Sequence, residues 1–206
     1  MLTAAADLLM ILALALLVAR PALWSIGLLA AQAVVVAWMV VMVTSGPARW
    51  TEAAIIVLTK AVGIPTVLWW AARSTASTNA VDWPSPWSWL VGAAIVLTVR
   101  LSLPTFAAGL NPRHAALLGT ALIVLLLGLA GMVSGRLLLA QVVHLVVIEN
   151  GLYCAGLALT GGLPAALELG AAVDLLFIVF VLVWLSHHVH RLQILPHVDE
   201  LRNLRG

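Results

Sequence analysis

Seven long apolar stretches constrain this chain more than any other feature of its sequence. A helix needs about 20 mostly apolar residues to cross a bilayer. Residues 2–19, 22–44, 53–72, 87–109, 115–134, 137–160 and 163–186 each supply such a stretch. In hydrocarbon every backbone N–H and C=O must be satisfied internally, so runs of this length fold as helices. The expected fold is therefore all-α, a polytopic membrane helix bundle of about seven spans. Charged residues make up only 9% of the 206 residues, against about 25% in a soluble domain. So few cannot build a water-facing surface, and lipid becomes the solvent for much of the exterior. The formal charge of +2 is small and the basic residues are scattered, which argues against a nucleic-acid partner.

The breaks between stretches carry turn chemistry: Ser45-Gly46-Pro47, the polar segment from Arg73 to Pro86, Asn111-Pro112-Arg113, Ser134-Gly135-Arg136 and Gly161-Gly162-Leu163-Pro164. The first stretch reads as a span and not as a secretory signal. It has no basic residue before its apolar run, and Arg20 follows that run. The single cysteine, Cys154, excludes an internal disulfide and a multi-cysteine metal site. From His187 to Gly206 the chain turns polar, as a tail outside lipid does. With seven spans and a cytoplasmic tail, Arg20, Arg73, Arg136, Arg191, Arg202 and Arg205 lie inside and only Arg49 and Arg113 outside. The positive-inside rule favours that orientation. Trp50, Trp83, Trp87, Trp89 and Trp184 sit near span ends, where aromatic anchors are expected.

Four strong charges remain inside the expected spans: Lys60, Arg100, Glu149 and Asp174. Each costs about 2.5–3.5 kcal/mol at a helix centre, so such groups face a bundle interior or a hydrated cavity and find partners. The four sum to zero formal charge, which permits pairing. The last two spans form a hairpin about Gly161-Gly162, with Glu149 about 12 residues before the turn and Asp174 about 12 after it. At about 1.5 Å per residue both lie roughly 18 Å from the turn, at one depth near mid-membrane. A carboxyl group in a low dielectric is driven toward its neutral form, and a nearby like charge drives it further. That is what a proton relay requires; the alternative is a buried ion pair or hydrogen bond that only fixes packing.

Lys60 precedes Pro65, which cannot donate to the carbonyl of Ala61. A lysine beside a locally opened helix can serve a relay or pair with a carboxylate. Arg100 stays charged, so it is read as an electrostatic tuner of a carboxylate or a structural partner, with Pro104 perturbing its helix. His144 is about 140° around the helix from Glu149 and reads mainly as a hydrogen-bonded packing residue. Tyr153 lies one turn after Glu149 on the same face, placed to hydrogen-bond that carboxylate or simply to pack. Glu168 and Asp7 lie nearer the outer interface, where hydration explains them. His187, His188 and His190 read as a solvated interfacial cluster before a metal site. No phosphate loop, dinucleotide fingerprint or zinc-protease motif occurs. The spacing Gly131 to Gly135 suits close helix packing.

The segments His114 to Gly119, Gly128 to Gly131, Arg136 to Leu139 and Glu149-Asn150-Gly151 resemble the three-helix K subunit of bacterial complex I, as does the ending Val198 to Arg202 followed by Arg205-Gly206. By the register of Arg136, that family's middle-helix glutamate falls near Val146. Here the acid is Glu149, about one turn later, and the last-helix position matches Asp174. With about four further N-terminal helices, the whole chain is similar to component E of the complex-I-like (group 4) nickel–iron hydrogenases, related to hydrogenase four and formate hydrogenlyase. The likeness is carried by residues 113–206; residues 1–110 match mainly in hydropathy and in Lys60 to Pro65.

The resemblance implies an N-terminal extension over 1–110, a K-like core over 111–186 and a cytoplasmic tail over 187–206. It implies a subunit of an oxidoreductase complex with no cofactor or catalytic residue of its own. The nickel–iron and iron–sulfur centres would sit in peripheral hydrogenase partners, and the neighbours in the bacterial or archaeal cell membrane would be antiporter-like and quinone-site-like subunits. Glu149, Asp174 and Lys60 would then serve a lateral proton or sodium pathway, with Arg100, His144, Tyr153 and Glu168 auxiliary. Two other readings stand beside it: the C-type small subunit of a multisubunit cation/proton antiporter, and a structural membrane scaffold.

Overall fold

The computed structural model describes residues 1–19, 22–74, 87–135, 138–161, 170, 173, 176–182, 184, 185 and 188. The chain runs through α1 (Leu2–Val18), α2 (Ala22–Val43), α3 (Ala48–Ile56), a wide π-helical turn (Val57–Gly63), α4 (Ile64–Ser74), α5 (Trp87–Phe106), α6 (Pro112–Ser134) and α7 (Leu138–Thr160). The described residues between 170 and 188 are helical as well, and no strand occurs among the described residues. Among the described residues five helices are long and apolar enough to cross a membrane: Leu23–Val43, Ala48–Arg73, Trp87–Thr105, Pro112–Ser134 and Leu139–Thr160. α1 is apolar but shorter, at 17 residues. Six of the seven expected spans are thus helical over most of their length, and the seventh stretch lies largely outside the described residues.

Some boundaries move, each for a local reason. The third span begins at Ala48, not near residue 53, because Glu52 lies inside the bundle and does not mark its edge. α5 stops at Phe106, short of 109, and Gly109 turns the chain at φ +95°. α6 begins at Pro112, with Pro at the first helical position and the Asn111 side chain accepting the Arg113 N–H at 3.0 Å. The third span is bracketed by two cation–π pairs, Arg49 over Trp50 at 5.3 Å and Arg73 over Trp69 at 3.9 Å. Both suit the headgroup level, where an amphipathic ring and a cation can share the polar boundary.

The helices share one core. α6 and α7 make the most extensive contact, α1 packs against both α6 and α2, and α2 lies against α7 and the third span. The α6–α7 contact depends on missing side chains. A Cβ on Gly151 would stand 2.6 Å from the backbone nitrogen of Leu125, and one on Gly128 would stand 2.9 Å from that of Ile148. His144 lies directly over Gly131, where any Cβ would overlap its ring. The close approach is therefore made by Gly128 and Gly131 on α6 and Gly151 on α7. Gly135 instead caps α6, its N–H bonded to the Gly131 carbonyl. In lipid, where apolar surface gains nothing by leaving solvent, such backbone proximity is what makes helices associate.

The third span meets a different constraint. Its buried positions include Glu52, Ile56, Lys60, Ile64, Leu68 and Ala72, one every four residues. In a straight α-helix a four-residue step drifts about 40° around the axis, so a stripe this long would leave the interface. The wide turn, in which the Ile64 N–H reaches back five residues to the Thr59 carbonyl, takes up part of that drift at Lys60.

Gly151→Ala should lower the thermal unfolding midpoint of the detergent-solubilised protein, because overpacking costs about 1–3 kcal/mol. Gly27→Ala, where a Cβ meets nothing within 4 Å, should leave it unchanged. Circular dichroism against temperature on the two variants checks this.

Candidate functional site

α7 and the third span bring Lys60 and Glu149 together. Lys60 Nζ lies 2.6 Å from Glu149 Oε1, with the lysine side chain 2% exposed and the glutamate 21%. The ammonium also sits over the Tyr153 ring, 4.8 Å from its centroid. One carboxylate and one aromatic face therefore surround a cation that the bilayer would otherwise exclude. Tyr153 lies one turn past Glu149, as expected, and its described contact is through its ring to Lys60. Pro65, two residues after the wide turn, lacks the N–H that would close either an α or a π bond to the Ala61 or Lys60 carbonyl. Thr59 and Thr66 flank this region and donate to the carbonyls four residues back, Ile55 and Val62, at 2.7 and 2.6 Å. Side-chain bonds of this kind bend helices.

A second polar pair adjoins the first. Asn150 Nδ2 donates to Gln32 Oε1 at 3.2 Å, linking α7 to α2 with both residues fully buried. Gln32, Lys60, Glu149 and Asn150 each lie about 10 to 13 residues from both ends of their spans, roughly 15–20 Å of helix. They form one polar layer near mid-membrane. Three atoms of it, Gln32 Nε2, Asn150 Oδ1 and Glu149 Oε2, are buried with no hydrogen-bond partner among the described residues. The layer thus keeps one unspent donor and two unspent acceptors in a site that is otherwise apolar.

The other expected residues fall in different places. Asp174 and Glu168 lie outside the described residues, as do His187 and His190. Leu176, two residues beyond Asp174, is in contact range of a Cβ built on Gly63 in the wide turn, at 3.5 Å. His144 is buried, its Nδ1 donates to the Ala140 carbonyl at 2.7 Å, and its ring covers Gly131. It is placed as a packing residue of the α6–α7 contact. Arg100 is on the outside of the bundle, paired with Asp7 of α1 at 3.4 Å, and makes no described contact with Lys60 or Glu149. His188 stacks on Trp184, ring centroids 5.3 Å apart. Among the described residues no group of three His, Cys, Asp or Glu side chains could hold a metal ion.

Gln32 and Glu52 are among the buried polar residues that escaped the sequence reading. Gln32 is the lone amide in the middle of an apolar span, and its central position was the available signal. Glu52 is 3% exposed and accepts from Thr44 Oγ1 at 3.3 Å. It looked like a boundary residue because Arg49, Trp50 and Thr51 precede it.

Removing one member of a buried ion pair strands the other and costs about 3–5 kcal/mol, whereas replacing both is far milder. Lys60→Met alone and Glu149→Gln alone should each lower the unfolding midpoint clearly, and the double variant should recover most of the loss. Gln32→Leu should cost less, since interhelical side-chain hydrogen bonds in membranes average about 0.6 kcal/mol. A double-mutant cycle read by thermal unfolding tests both statements.

The chain is similar to Hydrogenase-4 component E of Escherichia coli K12, 30% identical over 163 residues that make up 76% of this chain and 73% of that protein. The same identity and coverage are found with Hydrogenase-4 component E of Shigella flexneri. An uncharacterized protein of Mycobacterium tuberculosis is 27% identical over 143 residues, 66% of this chain and 65% of that one. No protein-family model matches, and no solved structure matches.

Proposed function

The chain belongs to the hydrogenase-4 component E family, and from that premise we propose that it is a multi-pass, redox-silent subunit of a hydrogenase complex whose mid-membrane polar layer carries ions sideways through the membrane domain. The observation that carries this reading is the Lys60–Glu149 pair, 2.6 Å apart and equidistant from both ends of its helices. Intramembrane ionisable groups are costly and are usually found on ion pathways.

The pair has the chemistry of a relay step. With both groups charged, each stabilises the other. A proton delivered to Glu149 removes the countercharge that pairs with the Lys60 ammonium. Lys60 then gives its proton to the next acceptor, and the carboxyl proton follows when the lysine recharges. Asp174, on the following span, is the acid we assign to the next site. Gln32 and Asn150 bring polar atoms beside the pair, and Tyr153 holds the ammonium through its ring. The nickel–iron and iron–sulfur centres belong to partner subunits in this reading, the membrane neighbours are antiporter-like and quinone-site-like, and the C-terminal tail faces the cytoplasm.

Similarity over 163 residues favours this reading over a three-helix antiporter subunit, because it reaches beyond the K-like core. A scaffold role is the second reading, and the Gln32–Asn150 link between α2 and α7 favours it: an amide pair fixes helix register without carrying a proton.

The Lys60→Met/Glu149→Gln double variant separates the two. In inverted membrane vesicles its complex should assemble and should oxidise hydrogen with an artificial dye at the wild-type rate, while coupled ion movement falls at least tenfold. Ion movement at the wild-type level in the assembled complex would leave the scaffold reading standing.

A further inference from the structure

The outer surface of the subunit carries a second ion pair, and it is in the wrong place for a lipid-facing one. Arg100 on α5 and Asp7 on α1 are 3.4 Å apart with their side chains 40% and 58% exposed. α5 is 20 residues long, about 30 Å, which matches the hydrocarbon thickness. Arg100 is six residues from its end, so it lies about 9 Å inside the near interface. Side chains on a helix tilt toward its N-terminus, and here that direction leads deeper into the bilayer, away from the near headgroups. Among the described residues the guanidinium, besides its bond to Asp7, makes only a 3.9 Å contact with Met10 Sδ. Most of its five donors are unspent on the described residues.

The helix around it points the same way. α5 has the lowest mean hydropathy of the long spans, 1.4, and the smallest buried share, 17%. α6 has a mean hydropathy of 2.5 with 50% buried, and α2 has 2.4 with 44%. If lipid alone surrounded the subunit, the least buried of these five spans would be the most apolar. The exposed side of α5 also presents Ala94, Leu97, Thr98 and Leu101 beside Arg100, small and medium side chains that let another helix approach closely.

We infer that the outward face of α5, with Asp7 of α1, docks a transmembrane helix of another subunit, and that this helix presents a carboxylate to Arg100. A carboxylate matches the unspent guanidinium fork and supplies two acceptors at once. The resulting Asp7–Arg100–acid cluster would be enclosed by protein on both sides. This inference rests on the chain working within a multisubunit complex, and it is independent of any ion pathway through Lys60 and Glu149.

A photo-crosslinking amino acid placed at Leu97 or Leu101 in the intact complex tests it, with Val34 on α2 as the control. The expected result is an adduct from both α5 positions to one other membrane subunit that co-purifies with the complex. The crosslinked peptide should be an apolar span containing Asp or Glu. Adducts to lipid alone, to a second copy of this chain, or to a span without an acidic residue overturn the inference. The charge swap Asp7→Arg/Arg100→Asp provides a second readout, because it keeps the attraction within the chain and reverses the charge offered outward. It should reduce retention of that partner at least tenfold in the purified complex at unchanged membrane levels of this chain. Retention at the wild-type level would equally overturn the inference.

Discussion

An ammonium and a carboxylate in contact near the middle of a bilayer set the terms for the rest of this fold. Each charge alone would cost several kcal/mol to hold there, and together they are tolerable only while their geometry is kept. Lys60 must stay on the inner face of the third span, and the wide turn between Val57 and Gly63 helps to hold it there. Glu149 must stay on the side of α7 that meets that face. The opposing contact of α7 with α6 is fixed by three glycines and the ring of His144. The Asn150–Gln32 bond adds a register mark between α7 and α2. The ion pair thus depends on packing that extends over several helices.

On the proposed relay reading, the same layer makes a residue both structural and functional. A relay needs groups whose protonation can change without the bundle coming apart. An amide pair beside an ion pair meets that need, because its hydrogen bond does not depend on charge. Tyr153 holds the Lys60 ammonium by the face of its ring, beside the carboxylate. The unspent donor and acceptors of Gln32, Asn150 and Glu149 give the layer a polarity that the surrounding aliphatic side chains do not share.

The two ion pairs seen among the described residues differ in what encloses them. Lys60–Glu149 is enclosed by the chain itself, whereas Arg100–Asp7 lies on the rim, with Arg100 on the least buried of the five long spans. Arg100 was read as the tuner of a neighbouring carboxylate or as a structural partner, and the acid it meets among the described residues is Asp7 of α1, at a similar depth from the helix ends. Charge inside a span says that a partner exists; only the packing of the helices says whether that partner is in the same chain.

The sequence by itself determined the solvent, the helix class and most of the spans, because uninterrupted apolar length in a bilayer leaves the backbone no other way to satisfy its hydrogen bonds. It also marked Lys60, Glu149 and Arg100 as residues that must find partners, since charge and position along a span are enough to price them. It placed the turns at Gly46, Asn111 and Gly161 from residue chemistry alone. What it left open was the pairing. Depth along a hairpin relates neighbouring helices, but Lys60 and Glu149 are 89 positions apart and Gln32 and Asn150 are 118 apart. Which faces meet across such separations depends on rotation about each helix axis, and in this chain a wide turn and a set of missing side chains decided that rotation. Only the tertiary structure could therefore join the lysine to the glutamate, and turn Arg100 outward.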